Sequence, residues 1–164
     1  MFTAIICLSQ KVAKRLHENN LQIYEAAETE PILHWRLDLV KIGYEFFTLL
    51  INTSSTYMIV IPGFGKKNLE SEIKKRISVH IGDSNLTLQY AKMNDKHILE
   101  SINDNIKMMK YAIEDFPEIG QSIVRLEHQV NINPLRYFKY KNPTEMFLQV
   151  KAEFAAKQGR GQSG

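Results

Sequence analysis

Between Pro31 and Pro62 runs PILHWRLDLVKIGYEFFTLLINTSSTYMIVIP, the most apolar stretch of the chain, and the rest of the molecule must be arranged to keep it from water. In LHWRLDLVKI the residues Leu33, Trp35, Leu37 and Leu39 alternate with His34, Arg36, Asp38 and Val40. A period of two predicts a strand with one apolar and one polar face. After Gly43-Tyr44, YEFFTLLIN is apolar almost without a break, which predicts a strand covered on both faces, and the polar NTSST turns into YMIVIP. Two hairpins in series predict an antiparallel meander at the centre of a sheet.

Around that block other periods emerge. Phe2 to Leu8 is rich in β-branched and aromatic residues and reads as a strand; Ser9 then suits the N-cap of a short helix from Gln10 to Glu18, with Val12 and Leu16 inward. QIYEAAETE carries no period and reads as a loop. Past Pro62, Gly63 and Gly65, the apolar residues Leu69, Ile73, Ile77 and Ile81 recur every four positions, predicting an amphipathic helix that ends at Gly82. Leu86, Leu88 and Tyr90 alternate, which predicts a short edge strand.

Ile98, Ile102, Ile106, Met109 and Ile113 trace the stripe of the longest helix, from His97 to Glu114, with Asp95 as its cap. Ile119, Ile123, Leu126 and Val130 predict another helix. Asn142, Pro143 and Glu145 announce a last one, through Ala156, with Phe147, Val150 and Phe154 inward. The expectation is an α+β fold, an antiparallel sheet covered by four to five helices, in a single domain of residues 1–156 followed by a small, glycine-rich tail at 157–164.

Composition narrows the function classes. With 164 residues, 44% apolar and 24% charged, the chain has the usage of one globular domain. It holds no run of about 18 apolar residues that could span a bilayer, and no basic segment precedes the apolar N-terminus as a signal peptide requires. Cys7 is the one cysteine and lies in the apolar run FTAIICL, so it reads as a buried structural thiol in a reducing cytoplasm. A net charge of +3 weakly favours nucleic acid without deciding the question.

Catalytic patterns are thin. One cysteine and the scattered His17, His34, His80, His97 and His128 offer no metal-ligand spacing. GFGKK at residues 63–67 lies between a strand and a helix but lacks the hydroxyl and the spacing of a phosphate loop, and no G-x-S-x-G elbow occurs. The chain therefore reads as a binding module rather than an enzyme, with no cofactor and no metal. Two segments suit a nucleic-acid partner: the basic stretch 66–76, and residues 136–141, where Arg136, Lys139 and Lys141 interleave with aromatic rings.

Three stretches carry a resemblance. Trp35 with Asp38 matches a W-x-x-N pattern in which Asp stands for Asn; Asn94 to Asp104 keeps the Asn94, Asn103 and Asp104 of N-R-S-x-x-G-x-M-N-D and loses its Gly; and Asn133-Pro134-Leu135 to Tyr140 and Pro143 follows N-R-x-P-M…G-Y…P. In these the chain resembles an uncharacterised family of bacteria and mobile elements, domain of unknown function 6933, over most of residues 1–150. The resemblance implies an α+β fold and no particular activity. Absence of catalytic constellations beside a well-formed core, rather than the resemblance, leads to the expectation of a binding or protein-interaction module with a protein partner, in a setting such as defence, counter-defence or toxin control. The candidate binding residues are Trp35, Arg36, Asp38, Asn103, Asp104, Arg136, Lys139 and Lys141. A metal-dependent hydrolase is a further reading, and it requires Asp38 and Asp104 to converge.

Overall fold

The alternating segment forms the middle strand of the sheet. A computed structural model of the chain describes residues 2–23, 30–65, 67–93, 95–120, 122–132, 139 and 141–162, the side chains of 119, 120 and 160–162 excepted. Five strands, β1 (Phe2–Leu8), β2 (His34–Ile42), β3 (Glu45–Asn52), β4 (Met58–Pro62) and β5 (Leu86–Ala91), lie in the order β4-β3-β2-β1-β5. Both hairpins of the meander form, with Leu37 opposite Leu50 and Leu50 opposite Ile59. The start moves by one residue: Pro31–Leu33 is a 3-10 turn, and the strand begins at His34 rather than Leu33.

The sheet is mixed, not antiparallel. β1 pairs in parallel with β2 on one side and with β5 on the other, so the meander fills one half of the sheet rather than its centre. The reason lies in the connections. α1 (Gln10–Arg15) stands between β1 and β2, and α2 (Leu69–Ile81) between β4 and β5. A link that includes a helix carries the chain back to the end at which the previous strand began, so the next strand runs parallel to it.

Period of two on β2 sorts the helices onto two faces. Trp35, Leu37 and Leu39 share a core with Ala4, Ile6 and Leu8 of β1, with Val12 of α1, with Leu69, Ile73 and Ile77 of α2, and with Phe147, Val150 and Phe154 of α6 (Pro143–Gln162). On the other face, Phe47, Leu49, Ile51, Met58 and Val60 meet Ile98, Ile102, Ile106 and Met109 of α3 (Lys96–Asp115) and Leu126 and Val130 of α5 (Ile123–Asn131). β3 is thus covered on both sides, as its unbroken apolar run requires. Each fully buried isoleucine of α2 contributes about 1.5–3 kcal/mol, and Gly82 in the left-handed region (φ 71°) ends that helix.

Other boundaries move. α1 stops at Arg15, short of Glu18, and Leu16 caps it. The helix expected from Ile119 to Val130 is two pieces, a single turn α4 (Pro117–Gly120) and α5, whose N-cap Ser122 accepts from the Arg125 N–H. α6 starts at Pro143 as its signature says, Asn142 accepting from the Glu145 N–H at 2.8 Å, but it continues past Ala156 to Gln162. Lys157 on that extra stretch meets Glu30 at 3.1 Å.

Candidate ligand cleft at the strand ends

β1 and β5 are parallel neighbours, and the chain leaves them in opposite directions. From β1 it passes to α1, whose Val12 joins the core on the Trp35 side; from β5 it passes to α3, whose Ile98 and Ile102 join the core on the other side. Diverging connections at the carboxyl ends of adjacent parallel strands leave a crevice, the place where open α/β sheets hold their ligands. A cleft of about 520 Å³ lies there, lined by Ser9 and Lys11 after β1, by Lys92 and Met93 after β5, by Leu99 of α3, and by Arg36 and Asp38 of β2. That volume suits a small molecule.

Arg36 and Asp38 reach the cleft because they alternate with Trp35 and Leu37, which point into the opposite core. Their side chains are only 14% exposed, with an Arg36 terminal nitrogen 3.6 Å from Asp38 Oδ2. Asp38 Oδ1 accepts from the Leu39 N–H at 2.9 Å. The Arg36 Nε–H is buried and has no hydrogen-bond partner.

Beside Arg36 the register places Cys7, and beside Cys7 lies His34. His34 Nε2 is 3.7 Å from the Cys7 sulfur and His34 Nδ1 is 2.6 Å from Thr53 Oγ1, while the Thr53 hydroxyl lies 3.2 Å from the His34 carbonyl. Every group is satisfied when Thr53 donates to that carbonyl, His34 Nδ1–H donates to Thr53, and the thiol donates to Nε2. Burial pushes the thiol up to about 11, although Arg36 pulls the other way, and burial lowers His34. The pair is therefore a neutral thiol and a neutral imidazole, fully buried. It lacks the thiolate that a nucleophile needs.

The remaining polar turn supports this wall. Asn52 Nδ2 donates to the Pro31 carbonyl at 2.9 Å, and its Oδ1 accepts from the Ser55 hydroxyl at 2.8 Å. Asn52, Thr53, Ser55 and Thr56 are all buried, which the polar composition of NTSST did not announce.

A second cleft, of about 570 Å³, lies along β4 and is lined by Tyr57, Arg76, Glu127, Asn131 and Thr144 among others. Four of its polar side chains are occupied. Glu127 accepts from the Val60 N–H, Thr144 donates to the Asn131 carbonyl, Arg76 pairs with Glu72 at 2.9 Å, and Asn131 bonds Met58. Burial raises Glu127, opposed by the Val60 hydrogen bond and by Arg76. A third hollow, beside Phe116 and Val124, is also bordered by Glu118, Arg125, His128 and Gln129.

The candidates from sequence divide accordingly. Arg36 and Asp38 come together in the strand-end cleft. Trp35 does not: it is fully buried on the opposite face, its indole donating to the Ile32 carbonyl at 2.7 Å and its ring edge-on to Phe147. Asn103 and Asp104 are exposed on α3 and do not line the cleft, so Asp38 and Asp104 do not converge there. Lys139, at positive φ (52°), and Lys141 are exposed, and Arg136 lies outside the described residues. In the basic stretch, Lys74 is paired with Glu70 at 3.1 Å and Arg76 with Glu72. Lys11 and Lys92 gave no signal in the sequence. Recognising β1 and β5 as parallel neighbours nominates them at once, since each stands just beyond the end of its strand.

Among the described residues no three His, Cys, Asp or Glu side chains are grouped to hold a metal ion, and no helix is long and apolar enough to cross a membrane. Residues 5–84 match the family model of DUF6933, a domain of unknown function. The DUF6933 match runs from β1 to just past α2 and takes in Arg36, Asp38, Cys7 and His34. The resemblance read from sequence extended further, and its later motifs around Asn94–Asp104 and Asn133–Pro143 fall beyond the matched span. The comparison with curated proteins finds no match.

Proposed function

We propose that the chain is a cytoplasmic, non-enzymatic binding module whose ligand enters the crevice at the carboxyl ends of β1 and β5. One observation carries the reading. The connections from these strands part to opposite faces, and the crevice between them is lined with polar side chains that follow β1 and β5, with Arg36 and Asp38 of β2 and with polar side chains of α1. The neutral, fully buried thiol–imidazole pair beside it supports binding over nucleophilic chemistry, and a free buried thiol suits a reducing compartment.

The test is a fragment screen read by two-dimensional NMR of the backbone amides. Binding fragments are expected to shift Ser9, Lys11, Lys92, Met93 and Leu99 together. A library that leaves these amides unmoved, or that maps every hit to the cleft beside β4, overturns the reading. Short single- and double-stranded oligonucleotides belong in the same titration: salt-dependent binding that spares the crevice replaces it with a nucleic-acid partner.

A further inference from the structure

The charges lining the crevice are unequal. Lys11, Arg36 and Lys92 face one carboxylate, Asp38, an excess of two positive charges in a concave site. Lys11 and Lys92 are exposed and bring flexible ammonium groups to its rim, whereas Arg36 is held in the wall. The groups packed beside Arg36, Cys7 and His34, are uncharged and do not offset the excess.

Arg36 is also incompletely answered. Its terminal nitrogen lies 3.6 Å from Asp38, well beyond the roughly 2.7–2.9 Å of a charge-assisted hydrogen bond, and its Nε–H has no acceptor. A mostly buried guanidinium whose terminal nitrogen is held this loosely is costly, and an oxyanion offering two oxygens is the acceptor that matches its planar fork. Asp38, tied to the Leu39 N–H, orients the guanidinium without saturating it.

We infer that the crevice takes a small-molecule phosphomonoester, its phosphate set against Arg36 between Lys11 and Lys92 and its organic body against Leu21, Met93 and Leu99. This rests on the crevice being the ligand site. A phosphomonoester carries about −1.5 to −2 at neutral pH, which matches the excess of positive charge, whereas an internal phosphodiester carries a single charge. The volume, about 520 Å³, is far more than a bare phosphate fills and leaves room for a sugar or nucleoside.

The experiment titrates the full chain with glucose 6-phosphate, adenosine 5′-monophosphate, inorganic phosphate, succinate and glucose, followed by calorimetry and by the crevice amides in NMR. The two phosphomonoesters are expected to bind, with affinity falling as salt rises. Arg36→Gln is expected to weaken them by about tenfold to a hundredfold, the range for losing hydrogen bonds to a charged partner. Lys92→Gln, at an exposed position with no part in the core, is expected to weaken them about threefold to tenfold and serves if Arg36→Gln does not fold. Asp38→Asn removes the lone negative charge and is expected to tighten binding. If succinate or glucose moves the crevice amides and the phosphomonoesters do not, the phosphomonoester assignment is wrong and the crevice stands. Phosphomonoester binding that Lys92→Gln and a folded Arg36→Gln leave unchanged also overturns the assignment. If no probe and no fragment moves those amides, both readings fall together.

Discussion

The Asn131 carboxamide completes the hydrogen bonding of the edge strand at Met58: Oδ1 accepts from the Met58 N–H at 2.8 Å and Nδ2 donates to the Met58 carbonyl at 2.8 Å. Two residues along, Glu127 on the same helix takes the Val60 N–H, and at Pro62 there is no N–H to take. One helix face therefore closes the side of β4 that β3 leaves open, a protection against pairing with other chains. Asn131→Ala is expected to cost about 2–4 kcal/mol, because it strands a buried backbone donor and acceptor. Urea denaturation measures the loss, and size-exclusion chromatography at rising concentration is expected to show self-association of the variant.

Asn105 behaves oppositely. It is fully buried on α3, and neither polar atom of its side chain has a hydrogen-bond partner. Asn105→Leu keeps the branching at the γ carbon and removes the unanswered amide, so a gain of about 1–2 kcal/mol is expected. A destabilised variant in the same denaturation experiment shows that the amide is serving a polar neighbour.

Acid should act through histidine. Burial, with Lys151 beside it, holds His80 down to about 4, and burial lowers His34. The unfolded chain takes up these protons below about pH 6.5 while the folded one refuses them, so stability is lost as pH falls from there towards 4. Glu127, raised by burial, acts in the other sense as it protonates. His80 packs edge-on to Phe147, with ring centroids 4.9 Å apart, and His80→Phe preserves an aromatic ring there. That variant is expected to flatten the fall in unfolding free energy between pH 6.5 and 4, measured by urea denaturation at each pH, by an amount on the order of 2 kcal/mol.

Alkali should act through the thiol. Cys7 is raised from 9.0 to about 11, so the unfolded chain gives up its proton first and stability falls as pH rises from 9 through 11. Tyr57 and Tyr90, also raised by burial, add to the fall above pH 10. Cys7→Ala is expected to make the slope between pH 9 and 11 shallower whatever its effect at neutral pH, and native Cys7 is expected to resist a thiol reagent at pH 8 until the chain unfolds. Rapid labelling of the folded protein contradicts this account.

The sequence by itself determined the local elements. Alternation fixed β2 and sorted Trp35 from Arg36 and Asp38, a period of four and Gly82 bounded α2, Asp95 and Asn142 marked two helix starts, and NTSST closed a hairpin. Each rests on interactions within a few residues, which a single chain spells out. The tertiary structure decided which strands become neighbours. Nothing near Phe2–Leu8 or Leu86–Ala91 states that they pair in parallel, that their connections part to opposite faces, or that Lys11 and Lys92 thereby join Arg36 and Asp38. Nor does the sequence near Met58 reveal that Asn131, 73 positions later, completes its hydrogen bonds. Those contacts repay chain-closure entropy only through the whole packed core, so they are properties of the assembled sheet and helices rather than of any segment.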